Sequence, residues 1–232
     1  MKTENKDKLI VALDLPGYDE ARALVDRLGD TVSFYKVGLE LLFAGGLDLA
    51  QELKGDGKRV FLDMKFLDIG NTVERAVASA ALLGVDYLTI HGHDSKTLQA
   101  AVKGRGTAPM KLLAVTVLTS LDQNDLAEQG ITSSPRDLVL KRAKMAHESG
   151  FDGVVASGQE AASVRAATAP EFLIITPGIR LPGAAAGDQA RITTPEDALR
   201  DGANHLVVGR PITAASDPKA AADMFLAHIA RA

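Results

Sequence analysis

Residues 59–72, RVFLDMKFLDIGNT, decide how this chain is read. Arg59 to Leu62 read as a buried β-strand, and Asn71-Thr72 open a helical pattern. Between them stand Asp63, Lys65 and Asp68. Side chains two apart on a strand share one face, so Asp63 and Lys65 are expected to leave the strand on the same side. Asp68 falls on the loop just beyond. Three charges at the exit of an apolar strand are costly unless they pair or act on something. A structural salt bridge with a helix cap satisfies that requirement, and so does a catalytic charge cluster.

The same unit recurs in both directions. Strand candidates lie at 9–14, 32–38, 59–65, 86–91, 111–117, 152–156, 172–176 and 204–208. Helical patterns fall near 18–28, 40–54, 72–83, 95–102, 135–148, 159–167, 195–201 and 218–231. Asp94-Ser95 reads as a cap, Pro135 and Pro195 as first-turn prolines, and Gly84 and Gly150 as helix ends. The Gly45-Gly46 pair reads as a break in the second helix. Parallel neighbours need crossovers, so strands that alternate with helices imply a parallel sheet. Eight such units in 232 residues predict a closed (β/α)8 TIM barrel, an α/β fold, as a single domain over 1–232. Asp14, Lys36, Asp63, Lys65, His91, Thr119 and Arg180 all fall at or just past the C-terminal ends of strands. Barrel enzymes build their sites on that face.

Composition narrows the class. Hydrophobic residues at 46% and charged residues at 24% suit a soluble globular protein. A net charge of -4 advertises no basic face for nucleic acid. The absence of cysteine excludes disulfides and thiolate chemistry and suits the cytoplasm. The opening MKTENKDK lacks the apolar core of a signal peptide, and no apolar run approaches the roughly 20 residues of a membrane helix.

Two constellations carry chemistry. In a barrel, Asp14 and Lys36 on the first two strands sit beside Asp63 and Lys65 on the third. Such alternating charges are hard to explain by stability alone, because buried ion pairs barely repay their desolvation. The second constellation is a phosphate grip. The loop from Thr176 to Gln189, TPGIRLPGAAAGDQ, is long and rich in Gly and Ala, and Val208-Gly209-Arg210-Pro211 follows the last strand. Loops after strands seven and eight are the usual phosphate cradle of this fold. Gly209 lets backbone N–H groups approach an anion, Arg210 can grip it bidentately, and Arg180 and Gln189 bracket a candidate lid. Leu118-Thr119-Ser120 offers hydroxyls or merely a turn. His91 and His93 suggest a metal, but His147, His205 and His228 lack ligand spacing, so no metal is expected. No cofactor motif is present.

On these residues the chain resembles the orotidine 5′-phosphate decarboxylases in their bacterial form. The matching pieces are VALD (11–14), KVG (36–38), FLDMKFLDIGNT (61–72), AVTVLTS (114–120), DGVV (152–155), TPGIR (176–180), AGDQ (186–189) and VVGRPI (207–212). They run in the family's order along essentially the whole chain. The resemblance implies cofactor-independent conversion of orotidine 5′-phosphate to UMP. Lys65 would be the proton donor, with Asp63, Lys36 and Asp68 completing the charged network. Asp14 and Lys36 would meet the ribose, and Thr119 would lie near the pyrimidine. Arg180, Gln189, Gly209 and Arg210 would grip the phosphate. It also implies a homodimer in which Asp68 and Thr72 reach the partner's site. Leu67 stands where His is frequent and Gly70 where Pro is frequent, which bears on loop stiffness. Leu181-Pro182 shifts the family's usual proline after Arg180 by one position.

Two rival readings share the barrel. Sugar-phosphate decarboxylases and hexulose-phosphate synthases resemble the DxKxxD region, but they need Mg2+ and place a metal-binding Glu where this chain has Lys36. A non-catalytic sensor of phosphate ligands would not need an intact Asp63/Lys65/Asp68 set.

Overall fold

The computed structural model describes residues 3–184 and 191–232. Its parallel strands are β1 (Leu9–Ala12), β2 (Phe34–Val37), β3 (Arg59–Phe66), β4 (Tyr87–His91), β5 (Lys111–Val115), β6 (Gly153–Val155), β7 (Leu173–Thr176) and β8 (His205–Val208). They pair in sequence order and close as β8 on β1, which makes the expected TIM barrel. The principal crossover helices are α2 (Tyr18–Leu28), α4 (Leu47–Gly55), α5 (Gly70–Leu82), α6 (Ser95–Arg105), α8 (Pro135–Glu148), α9 (Gly158–Ala167), α10 (Pro195–Arg200) and α12 (Pro218–Ile229).

Local chemistry explains the boundaries. The Asp94 carboxylate accepts from the Thr97 N–H, and Pro135 and Pro195 open their helices. Gly84 and Gly150 end theirs in the left-handed region, at φ 68° and 84°. The helical pattern at 40–54 is interrupted: a π segment at Leu42–Gly46, in which Ala44 and Gly45 leave helical geometry, separates the short α3 (Leu39–Leu41) from α4. Three short helices were not expected: α1 (Thr3–Lys6), α7 (Gln123–Glu128) and α11 (Arg210–Thr213).

Strand alternation divides the apolar residues in two. Leu9, Val11, Tyr35, Val37, Val60, Leu62, Leu88 and Ile90 face outward into the large core beneath the helices. Ile10, Ala12, Phe34, Phe61, Tyr87, Leu113, Ile175 and Val207 fill the barrel itself. Counting two residues onward from Phe34 and Phe61 reaches Lys36 and Asp63 at the C-terminal mouth. The same period that packs the interior therefore delivers the charges.

Candidate active site

A cavity of about 430 Å3 opens at the C-terminal mouth. Asp14, Lys36, Asp63 and Lys65 line it from β1 to β3, and Thr119 follows β5. Arg180 follows β7, and Gly209 and Arg210 follow β8. Eight of the site residues expected from the sequence thus meet in one space.

The charges form a chain. Lys36 Nζ lies 2.9 Å from Asp14 Oδ1 and 3.3 Å from Asp63 Oδ2, and Lys65 Nζ lies 2.8 Å from the same Asp63 oxygen. Side-chain exposure is 9% at Lys36 and 13% at Asp63, rising to 26% at Lys65 and 47% at Asp14. Burial alone would lower the Lys36 pKa, but Asp63 and Asp14 overcome it and hold the ammonium above the ordinary lysine value. Burial likewise works against the Asp63 carboxylate, and Lys36 and Lys65 outweigh it, so its pKa falls below the usual carboxylate range. Gly38 makes room for the first pair. A Cβ there would stand 2.6 Å from Asp14 Oδ1 and 2.9 Å from Lys36 Nζ.

Lys65 meets Asp63 over an irregular backbone. It has φ 51°, the one positive φ of a non-glycine among the described residues. Such a conformation costs on the order of 1–3 kcal/mol and persists only where its surroundings impose it. It lies in an irregular stretch of β3. Leu62 pairs with Leu88 and Phe66 with Ile90, so β3 takes four residue steps while β4 takes two. Asp63 and Lys65 both line the cavity while Met64 between them packs into the outer core, so the two share a face as their spacing predicts, across a bulged backbone.

Asp68 and Thr72 do not join this cluster. Both are exposed and neither lines the cavity, and Asp68 Oδ1 accepts from the Ile69 N–H at 2.7 Å. Gln189 lies outside the described residues. Arg180 and Arg210 share the far side of the mouth. Burial, and then the Arg210 charge, lowers the Arg180 pKa. Arg180 also donates to the carbonyl of Ile179 at 2.9 Å. His91 and His93 face each other with ring centroids 4.8 Å apart. Burial, followed by the charges of His93 and Lys65, depresses His91 to about 4.

Two residues near the site were not singled out from the sequence. Thr89 on β4 is fully buried against the bulge. Arg191 is also buried. It donates to Glu160 Oε1 at 2.7 Å and to the carbonyls of Val117 and Leu118 at 3.2 and 3.0 Å, just before Thr119. In the sequence one reads as an ordinary strand former and the other as a surface cation.

Fold and cavity together define a (β/α)8 barrel enzyme with a charged C-terminal mouth. The chain belongs to the Orotidine 5′-phosphate decarboxylase / HUMPS family, whose model matches residues 7–225. It is 55% identical over 228 residues to the orotidine 5′-phosphate decarboxylase of Rhodopseudomonas palustris (strain ATCC BAA-98 / CGA009), covering 98% of this chain and 96% of that one. The corresponding protein of Caulobacter vibrioides (strain NA1000 / CB15N) is 56% identical over 219 residues, covering 93% and 94%. The crystal structure of orotidine 5′-phosphate decarboxylase from Lactobacillus acidophilus aligns with a TM-score of 0.84 at 39% identity, over 95% of this chain and 98% of that one.

Proposed function

We infer that this chain decarboxylates orotidine 5′-phosphate to UMP, in pyrimidine biosynthesis. The observation that carries the reading is Lys36, held between Asp14 and Asp63 at the cavity floor. An ammonium fills the place where the sugar-phosphate branch of the barrel uses a metal-binding glutamate, so this chain has charge in place of a cation ligand.

The reaction breaks the bond between C6 and the carboxylate. CO2 departs, the electron pair stays on C6, and a proton then replaces the lost group. The pyrimidine ring delocalises that pair poorly, so fixed charge must stabilise it. An ammonium about 4 Å from the carbanion supplies ~4 kcal/mol at an effective dielectric of 20. Lys65 is our candidate for this group and for the proton donor to C6. Asp63 and Asp14 keep Lys36 charged despite its burial, and the same Asp63 oxygen meets Lys65. Asp14 and Lys36 suit the ribose hydroxyls, and Thr119 suits the pyrimidine edge. Arg180, Gly209 and Arg210, together with Gln189, suit the phosphate, whose binding energy can orient the ring.

Loss of orotidine 5′-phosphate absorbance, followed in EDTA, tests the reaction. Full activity in the chelator is expected. Activity lost on chelation and restored by Mg2+ would return the chain to the sugar-phosphate branch.

We further propose a cytoplasmic homodimer in which Asp68 and Thr72 serve the partner's site. Their position outside their own cavity supports this, as do the exposed Leu67 and Ile69 beside them, at 50% and 73%. No helix among the described residues is long and apolar enough to cross a membrane. If the sites are shared, Lys65→Ala and Asp68→Ala homodimers are each poorly active, and mixing them restores activity. Random exchange makes about half the dimers mixed, and one of the two sites in each carries neither lesion. Exchange without recovery would return Asp68 to its own subunit or remove it from catalysis.

A further inference from the structure

Thr89 sits where the β3–β4 ladder fails. Leu62 and Phe66 pair with Leu88 and Ile90, which leaves Asp63, Met64 and Lys65 opposite Thr89 alone. The hydroxyl of Thr89 takes over the missing pairing. It accepts the backbone N–H of Lys65 at 3.0 Å and donates its own proton to Asp63 Oδ1 at 2.9 Å. One buried oxygen thus fixes the left-handed turn at Lys65 and the rotation of the carboxylate that meets it. The other oxygen of Asp63, Oδ2, stays directed at both lysines. Thr89 is fully buried and does not line the cavity, so it reaches substrate only through these two neighbours.

We propose that Thr89 is a positioning residue for the decarboxylation: its hydroxyl holds the Lys65 turn and the Asp63 carboxylate in the geometry that places the ammonium in the cavity. This rests on the reading of the reaction given above. The hydroxyl is needed both as acceptor and as donor, and a β-branched carbon skeleton of the same shape supplies neither. Preorganised charge acts on the transition state more than on the bound ground state. Its loss therefore appears in kcat rather than in KM.

The test compares Thr89→Val, which keeps the shape and removes the hydroxyl, with Thr89→Ser, which keeps the hydroxyl. Each is assayed on orotidine 5′-phosphate beside the wild type, with UMP titrated into the same samples. Thr89→Val should lower kcat by about tenfold or more, while KM and UMP affinity change by less than about threefold. Thr89→Ser should stay within about threefold of wild-type kcat. Wild-type kcat in Thr89→Val overturns the proposal, and so does a loss confined to KM. Equal losses in the two variants also overturn it, since they would trace to packing of the methyl group. If Thr89→Val does not fold, Thr89→Ala takes its place in the comparison. Failure of both to fold makes the hydroxyl a requirement of the fold and overturns the positioning role. An inactive wild type would instead speak against the reaction, so the two failures are separable.

Discussion

At the N-terminal mouth of the barrel, Tyr87, His205 and Arg59 meet over Phe34; at the C-terminal mouth, Asp14, Lys36, Asp63 and Lys65 meet over open space. Both groups are polar, and both sit on the period that also supplies Phe61, Ile175 and Val207 to the interior. The lower group is closed upon itself. His205 Nδ1 lies 2.7 Å from the Asp7 carbonyl oxygen and must carry its proton there. Its Nε2 then accepts from the Tyr87 hydroxyl at 2.9 Å, and the Arg59 guanidinium lies 4.2 Å from the centre of the Phe34 ring. The upper group leaves its two outer members, Asp14 and Lys65, facing the cavity. A polar cluster that satisfies itself contributes stability, while one that stops short of closure keeps charge available for a ligand.

That contrast can be broken most severely at the upper mouth. Lys65→Ala should reduce kcat by at least about 10^3-fold, the scale of losing a preorganised transition-state contact. The protein should remain folded and bind UMP within about threefold of wild type, because phosphate and ribose hold that ligand. Steady-state kinetics and UMP titration check both halves, and near-normal turnover would remove Lys65 from the chemistry.

The lower mouth should respond to acid instead. Burial holds the His205 pKa at about 4, below the roughly 6.5 of an exposed histidine in the unfolded chain. Between these values the unfolded state binds more protons. The stabilisation is therefore full above pH ~6.5 and is lost as pH falls through 4, in total on the order of 3 kcal/mol. His91 shares this window, since burial and its cationic neighbours also place it at about 4. His205→Gln should flatten part of the decline in urea stability from neutral to acid pH, and leave kcat within about twofold. An unchanged slope would show that His205 does not govern it.

The barrel was legible because its evidence is local and repeated. Apolar runs, Pro and Gly punctuation and charges at strand exits recur from residue 9 to residue 213. The charged floor was legible for the same reason, since two-residue spacing carries Phe34 to Lys36 and Phe61 to Asp63. Lys65 keeps that spacing and pairs with Asp63 as expected, but the two-residue excess in β3 and the positive φ beneath the pair are not written in it. Thr89, which holds the bulge, makes its contacts across 24 and 26 residues, and nothing in YLTIH marks its hydroxyl. Helix α7 carries a D-x-x-D start signal, with Asp122 and Asp125 capping it reciprocally, but six residues are too few to show a helical period. Asp68 and Thr72 stand outside the cavity, and only the proposed dimer gives them a role in a site.

In the proposed reaction Lys65 moves a proton at C6. Microscopic reversibility then requires the protein to exchange the C6 proton of bound UMP with solvent, slowly, by the reverse of the final step. Proton NMR of UMP incubated with the protein in D2O reads this directly. Enzyme-dependent loss of the C6 signal in wild type, absent in a folded, UMP-binding Lys65→Ala variant, is the predicted result. Exchange at the wild-type rate in that variant would assign the proton transfer to another group.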